Sequence, residues 1–550
     1  MFGRKTGGQG TDFLSRWVSG VAPTAGEPGP RRSLWSRWQR SALALGAGVA
    51  MGLGPEPVGW WPLPWVAIAP LWWLLANPTL NWRDRLGLGW LWGLGYNLVA
   101  VFWLTGLHPM MWLGVSWATS LTIALVCWLV AAGWAGSQVA CWAVGFGLLH
   151  RKLAGRSAGG RWALGLALWL VTEWLWNQSP LAWTGLGLTQ APHNLAILHL
   201  GQLSGPALVT AVVVGVNGAW AEGWLTHRRR WWAGAIALLL LGHGLGAALA
   251  AQPLADRPAA ALTIGVIQGN IPNDLKFGSE GWRRALTGYQ RGYETLAAAG
   301  VDGVLIPETA LPMVWTAEAT RDRRNEFLSA VLDRAVPVWL GLFAPDRQQP
   351  DRLTNSLISL DRAGKAVGRY DKVRLVPLGE YIPFESVVGG FIDRLSPLDT
   401  KLALGQPNQR LNTPFGQAIA LICYDSAHAE LARSQAASGG QFILSAANNA
   451  HYRPTMFAQH HAQDVMRAIE TDRWVARAAN TGYSAFIDPH GVTHWRSRPN
   501  TYELHTTEIY RRTRQTPYVR WGDWLTPLSI PLALAVSWGL RHASSSLPDR

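Results

Sequence analysis

Three cysteines occur in 550 residues, and one of them, Cys423, stands where an apolar run meets the start of a possible helix, in ALICYDSAHAE (420–430). A thiol attacks only as the thiolate, so a nucleophilic cysteine needs a base or a cation beside it. Along the chain the nearest candidates are His428, His451, His460 and His461, which would make a Cys–His pair. Distant segments offer another arrangement. Glu308 in LIPETALP could take the proton, and Lys372 in RYDKVRLVPLGEYIPF could face an oxyanion. Both stay open at this point. Cys127 and Cys141 lie inside apolar helical runs and read as small buried hydrophobes. His460 and Asp464 are spaced i, i+4 with His461 adjacent, a spacing zinc accepts. A solvated helix face is the expected reading there, with no metal and no cofactor.

The elements that must position these groups lie between residues 252 and 523. ALTIGVIQGN, GVLIPETA, PVWLGLFA, TNSLISLD, QAIALICYD, GQFILSAANN and YSAFIDPHG read as strands. GWRRALTGYQRGYETLAAAG, TRDRRNEFLSAVLDRA and one long stretch, MFAQHHAQDVMRAIETDRWVARAAN, read as helices. Strands alternating with helices predict an α/β layered domain. Reactive groups collect at strand ends in such sheets, and Glu308, Cys423 and Asn448 fall there.

The rest of the chain belongs to a different solvent. Charged residues are only 15%, and 26 of the 34 tryptophans precede residue 255. Trp favours the membrane–water boundary. A helix needs about 20 mostly apolar residues to cross a bilayer. Spans are predicted near 40–56, 59–76, 86–107, 117–149, 162–177, 204–225 and 231–251, with an eighth near 524–541. Connections alternate between basic (Arg31, Arg32, Arg37 and Arg40; Arg83 and Arg85; HRKLAGRSAGGR; Arg228 to Arg230) and free of Lys and Arg. By the positive-inside rule the N-terminus is cytoplasmic and residues 252–523 lie outside. Arg511, Arg512, Arg514 and Arg520 precede the last span on the outer side, but long domains translocate largely regardless of such charge. The expected organisation is a disordered tail over 1–39, a seven-helix membrane domain over 40–251, a catalytic domain over 252–523, an eighth helix over 524–541 and a cytoplasmic tail over 542–550. The net charge of +14 is scattered over short loops, with no basic stripe of the kind nucleic acid requires. Glu173 in LVTEWLW, ionisable inside a span, is a candidate for the substrate path.

The order Glu308, Lys372, Cys423, with GEYIPF after the lysine and RAIETDRWVARAANTG after the cysteine, resembles the nitrilase, or carbon–nitrogen hydrolase, superfamily. The membrane spans, WTGLGLTQAPHNLAILHLGQLSG and TPYVRWGDW narrow the likeness to the apolipoprotein N-acyltransferase family. The resemblance implies an α-β-β-α sandwich beside a polytopic helical domain. It implies Glu308 as general base, Lys372 and the Tyr424 N–H at the oxyanion, Cys423 as nucleophile, and Glu380 as the carboxylate holding the lysine. Burial is expected to raise the pKa of Glu308. The implied reaction moves an acyl chain from a phospholipid, through a Cys423 thioester, to the amine of a diacylglyceryl-cysteine apolipoprotein, in the bacterial inner membrane and as a monomer. A membrane-tethered amidase using water is the alternative, and a non-enzymatic scaffold a third. Loops around Pro383–Phe384 and Tyr452–Met456 are expected to dip toward lipid. Two departures from the family pattern stand out: Asp425 replaces the usual Glu after Cys-Tyr, and Asn448-Asn449-Ala450-His451-Tyr452 replaces Asn-Asp-Ala-Trp-Phe. The second makes His451 and Tyr452 candidate substrate contacts. With its partners now in distant segments, His428 is expected at a helix surface.

Overall fold

The computed structural model describes residues 36–153, 157–276, 278–311, 313–316, 326–377, 379–381 and 402–545. Between Ala261 and Tyr510 the chain forms two six-stranded sheets, with strands numbered along the sequence. The first runs β12 (Glu503–Tyr510), β1 (Ala261–Gln268), β2 (Gly303–Leu305), β3 (Val338–Pro345), β4 (Leu353–Leu360), β5 (Ala366–Asp371). The second runs β11 (Thr493–Arg496), β10 (Ala485–Ile487), β9 (Val475–Ala479), β8 (Ile443–Ala447), β7 (Gly416–Ile422), β6 (Leu411–Thr413).

Strand side chains alternate between two cores. Ile264, Val266, Leu305 and Trp339 belong to one core with Ile419, Leu421, Leu444 and Val475 of the second sheet. Ile267, Val304, Leu340 and Leu342 point the other way, into a core with Tyr289 and Tyr293 of helix Ser279–Ala298 and Phe327 and Val331 of helix Glu326–Arg334. Helices Ala429–Ala437 and Pro454–Thr471 pack with the second sheet and each other. Burial on both faces is why these strands read as continuous apolar runs.

One predicted helix is really a helix and a strand. Pro454–Thr471 stops at Asp472, whose φ of 58° is left-handed, and the chain continues as β9. Arg473 fixes the break by donating to the carbonyls of Thr471, Asp472 and Gly440.

The predicted span 59–76 is not one helix either. It holds a 3-10 turn, Leu63–Trp65, and an α-helix of seven residues, Ala69–Leu75. Seven residues reach about 10 Å, far short of a bilayer. Pro62, Pro64 and Pro70 remove amide donors, and Asn217 satisfies the interrupted backbone: Oδ1 accepts from the N–H of Ile68 (2.8 Å) and Ala69 (3.0 Å), and Nδ2 donates to Pro64 O (2.8 Å).

Among the described residues, three helices are long and apolar enough to cross a membrane: Trp117–His150, Pro206–Thr226 and Arg229–Ala250. Most of the apolar stretch of the middle one is buried, and little of that of the outer two is. Arg37–Gly52, Trp82–Ala100, Ala158–Asn177 and Leu525–Ser545 are helical where spans were expected. Outward faces carry Leu240, Leu241, Leu532 and Trp538, each more than 60% exposed, a surface unsuited to water. Cys127 is half-buried and Cys141 exposed, so the expectation of two buried thiols is corrected: they lie on the outward side of a long helix where apolar character, not burial, is required.

Candidate active site

Cys423 ends β7 and opens a 3-10 turn, Cys423–Ala427, with φ at +50°. A side chain there is strained and persists only where its surroundings over-determine it. Part of that support is His460, whose Nε2 lies 2.9 Å from the Cys423 carbonyl oxygen while Nδ1 lies 3.2 Å from Asn449 Nδ2. A carbonyl only accepts and the amide nitrogen only donates, so the proton sits on Nε2. Burial pushes His460 down to about 3, which keeps the ring neutral. His460 therefore holds the cysteine's backbone rather than accepting its proton.

Glu308, three residues beyond β2, and Lys372, next after β5, meet directly, with Lys372 Nζ 2.7 Å from Glu308 Oε1. Lys372 Nζ also lies 2.9 Å from Glu380 Oε2. Asn355 Nδ2 donates to both carboxylates, at 2.7 Å to Glu308 and 3.0 Å to Glu380, and the Asn448 N–H donates to Glu308 Oε2 at 2.7 Å. Glu308, Lys372 and Cys423 are all at most 5% exposed. Strand ends thus bring Glu308 and Lys372 into contact, with Cys423 buried within electrostatic reach of both.

The electrostatics differ from expectation for Glu308. Burial acts to raise its pKa, but the Lys372 ammonium, then Lys276, and the Asn355 amide reverse the sign and hold it below the ordinary carboxylate range. Burial alone would have raised it; two ammonium charges and an amide donor decide otherwise. For Lys372, burial acts downward, and the Glu308 and Glu380 carboxylates hold it well above the usual lysine range. The Cys423 thiol is pushed up by burial first and by Glu308 second, against the pull of Lys372. At neutral pH the site holds a carboxylate, an ammonium and a protonated thiol.

Gly341 in β3 lets the Glu308 turn approach: a Cβ there would overlap the Pro307 carbonyl and crowd Glu308 Cα. Gly341→Ala is expected to lower kcat about 10²-fold by displacing Glu308, with KM nearly unchanged, as steady-state kinetics would show.

Asp425 is fully buried and used. It accepts from the N–H of Arg374 (2.8 Å), the N–H of Ile422 (3.1 Å) and Tyr370 OH (3.1 Å). Burial raises it to about 7. It ties the loop after Lys372 to the Cys423 turn, and the shorter side chain reaches all three donors. His428 is buried, with its ring 5.2 Å from Tyr424, and burial lowers it to about 3, correcting the expected surface position. The expected solvated face at His460, His461 and Asp464 is corrected as well. All three are buried because helix Pro454–Thr471 packs against both the sheet and the preceding helical half. Asp464 pairs with Arg477 at 2.5 Å, and His461 meets Thr493 at 3.0 Å.

The site wall is shared with residues 56–205. Tyr424 OH donates to the carbonyls of Pro180 (2.9 Å) and Ala182 (2.8 Å). Gln459 Oε1 accepts from the indoles of Trp183 (2.6 Å) and Trp103 (3.1 Å), and its Nε2 donates to Glu56 O (2.6 Å) and Ala100 O (2.8 Å). Gln459→Leu breaks all four bonds and is expected to cost about 3 kcal/mol, read as a lower thermal midpoint in detergent. Tyr452 stacks edge-on against Trp103 at 5.0 Å, and the His451 ring lies 6.2 Å from Trp112. Tyr452 and Met456 join an apolar cluster with Trp103 and Phe457, so these two side chains pack inward where a lipid-dipping loop was expected, while Arg453 and Pro454 between them are exposed; Pro383–Phe384 lies outside the described residues. Glu173 is buried apart from the triad and accepts from Trp169 (2.9 Å), Thr210 (2.9 Å) and the Leu186 N–H (3.3 Å), fastening the 186–190 turn to two helices.

Sequence reasoning missed Asn355, Asn480, Gln459 and Lys276. Asn355 left a weak signal, the one amide in a strand of apolar and hydroxyl residues, TNSLISL. The others carry none, because their partners are remote in sequence.

Residues 263–518 match the carbon-nitrogen hydrolase family, and residues 47–219 match the apolipoprotein N-acyltransferase N-terminal domain. The apolipoprotein N-acyltransferase of Nostoc sp. is 50% identical over 497 residues, covering 89% of this chain and 97% of the relative. That of Synechocystis sp. is 45% identical over 515 residues, covering 89% and 98%. An amidase from Nesterenkonia sp. is similar in structure at 18% identity with a TM-score of 0.36, over 50% of this chain and 98% of that chain.

Proposed function

The chain belongs to the apolipoprotein N-acyltransferase family, and from this we propose that it transfers an acyl chain from a membrane phospholipid to the N-terminal amine of diacylated apolipoproteins, through a thioester on Cys423. The observation that carries the reading is Glu308 and Lys372 in direct contact at strand ends, with the buried Cys423 thiol within electrostatic reach of both.

The roles follow from the charges. Glu308, held ionised, takes the thiol proton as sulfur attacks the ester carbonyl. A protonated thiol beside a ready base favours transfer concerted with attack over a standing thiolate. The developing oxyanion meets Lys372 Nζ and the Tyr424 N–H. Collapse expels the lysophospholipid oxygen, which takes the proton from Glu308 and leaves the thioester. The apolipoprotein amine then attacks the thioester carbonyl, Glu308 takes its proton, and as the C–S bond breaks Glu308 returns that proton to the departing sulfur, leaving an amide, the thiol and an ionised Glu308. Glu380 and Asn355 hold Lys372 and Glu308 in register.

Two bilayer-anchored substrates give a reason for the helical half. In this reading the helices span a bacterial inner membrane with the two sheets on the periplasmic side, and residues 59–76 cross within the bundle as broken helix stabilised by Asn217. The 40–251, 252–523 and 524–541 division follows the same arrangement. Exposed Trp112 beside His451, with exposed Met111 next to it in the chain, suits a donor arriving from lipid. The test is purified protein with phosphatidylethanolamine vesicles and a diacylated lipopeptide, followed by peptide mass. N-acylated peptide from wild type and none from Cys423→Ala supports the transferase. Free fatty acid with no acylated peptide would establish the water-using amidase instead.

A further inference from the structure

Lys276 is an ammonium almost entirely inside the protein, at the end of the short turn Asn273–Lys276 after β1. Nothing in the reaction described above uses it. Its Nζ donates to Thr309 Oγ1 at 2.5 Å. Thr309 follows Glu308 and has φ of +43°, a left-handed conformation that a β-branched residue adopts only under constraint. On the other side, the loop bearing Lys276 is fastened by Asn480, which donates to Ile271 O (2.7 Å) and accepts from the Ile271 N–H (2.9 Å). Asn480 also donates to Asn448 Oδ1 (3.1 Å), and the Asn448 N–H is the one bonded to Glu308 Oε2. The Lys276 loop and the Glu308 carboxylate are therefore braced from two directions by one network.

We propose that Lys276 is a positioning residue for Glu308: through Thr309 it holds the strained turn that aims the carboxylate. The proposal rests on the assignment of Glu308 as general base. The charged and titratable groups that Lys276 faces are Glu308 after β2, Cys423 after β7, Lys372 after β5, and His451 after β8. Burial brings Lys276 down to about 8, with Glu308 and Cys423 pulling it back up and Lys372 adding to the fall. Lys276 is accordingly charged at neutral pH and loses its charge as pH rises through about 8. Its ammonium is in turn one of the causes that lower Glu308. Removing it raises Glu308 and moves the acid limb of the rate profile toward higher pH.

The experiment uses the full chain in detergent micelles with phosphatidylethanolamine and a diacylated lipopeptide, measuring kcat, KM and the pH profile of kcat/KM. Lys276→Met is expected to lower kcat at least about tenfold at similar KM and to shift the acid limb upward by about one pH unit. A merely structural lysine would leave the limb in place. Thr309→Val, which keeps the shape and removes the acceptor, covers the case in which Lys276→Met does not fold. It is expected to lower kcat as well, while Thr309→Ser retains the wild-type value. Wild-type kcat and an unmoved acid limb in Lys276→Met, or wild-type kcat in Thr309→Val, overturn the proposal. Glu308→Gln separates the two levels: if it keeps full activity the base assignment fails, and if it is inactive while Lys276→Met is normal only the role of Lys276 fails.

Discussion

Cys423→Ser is expected to reduce acyl transfer by roughly 10⁴-fold or more, the scale seen when one member of a catalytic unit is lost. The substitution is nearly isosteric, and a turn already fixed by His460 at the backbone carbonyl and by Asp425 at the Ile422 N–H keeps its shape. The loss is chemical. A hydroxyl is far harder to deprotonate than a thiol, and the Glu308 carboxylate facing residue 423 opposes a second negative charge in the same buried space. A serine ester would also yield to amines less readily than a thioester. The wild-type protein incubated with phospholipid alone should gain the mass of one acyl chain, removable by hydroxylamine, and Cys423→Ser should not. Transfer by Cys423→Ser at a rate close to wild type would rule out the thioester route.

Lys372→Met is the second large effect, and it reaches both stability and rate. The ammonium it removes sits 2.7 Å from Glu308 and 2.9 Å from Glu380, and both carboxylates are largely buried. Breaking such a pair from one side costs about 3–5 kcal/mol because the remaining charge is left in low dielectric. The loss of an oxyanion partner costs a further factor of about 10²–10³ in kcat. The pH dependence has a definite sign. In the wild type Glu308 titrates below its ordinary range, so its contribution to stability is present above the unfolded carboxylate's pKa and is lost as pH falls through the folded one. Lys372 titrates above its ordinary range, so its contribution holds below the unfolded lysine's pKa and is lost as pH rises through the folded one. Without Lys372 the Glu308 carboxyl favours its neutral form, and the variant's deficit should be largest at neutral pH and shrink toward pH 4 to 5, about where carboxylates protonate. Thermal midpoints of both proteins across that range test this. A deficit that grows on acidification would contradict the charge assignment.

The sequence by itself singled out the candidate residues and the family they resemble. Glu308 and Cys423 each follow a strand legible as an apolar run, because a buried strand must be apolar whatever surrounds it, whereas the strand before Lys372, AVGRYD, is half-exposed and left no such signal. Composition likewise marked the helical half, because side chains facing a nonaqueous solvent cannot be polar. What only the tertiary structure decided are properties of groups meeting across long separations. The sign of the Glu308 shift was misjudged from burial, because Lys372, Lys276 and Asn355 come from three other segments. His460 and Asp464 look like a solvated face at helical spacing, and only the packing of Pro454–Thr471 against both halves makes them internal. The end of that helix was invisible because RWVARAAN suits a helix or a doubly buried strand equally, and Arg473 bonding to carbonyls as far away as Gly440 selects the strand. The break in residues 59–76 was hidden for the same reason: apolar length suggests a span, while its prolines become tolerable only through Asn217, about 150 residues along the chain. Periodicity reports which solvent a side chain faces, and charge state and element boundaries depend on which remote partner arrives there.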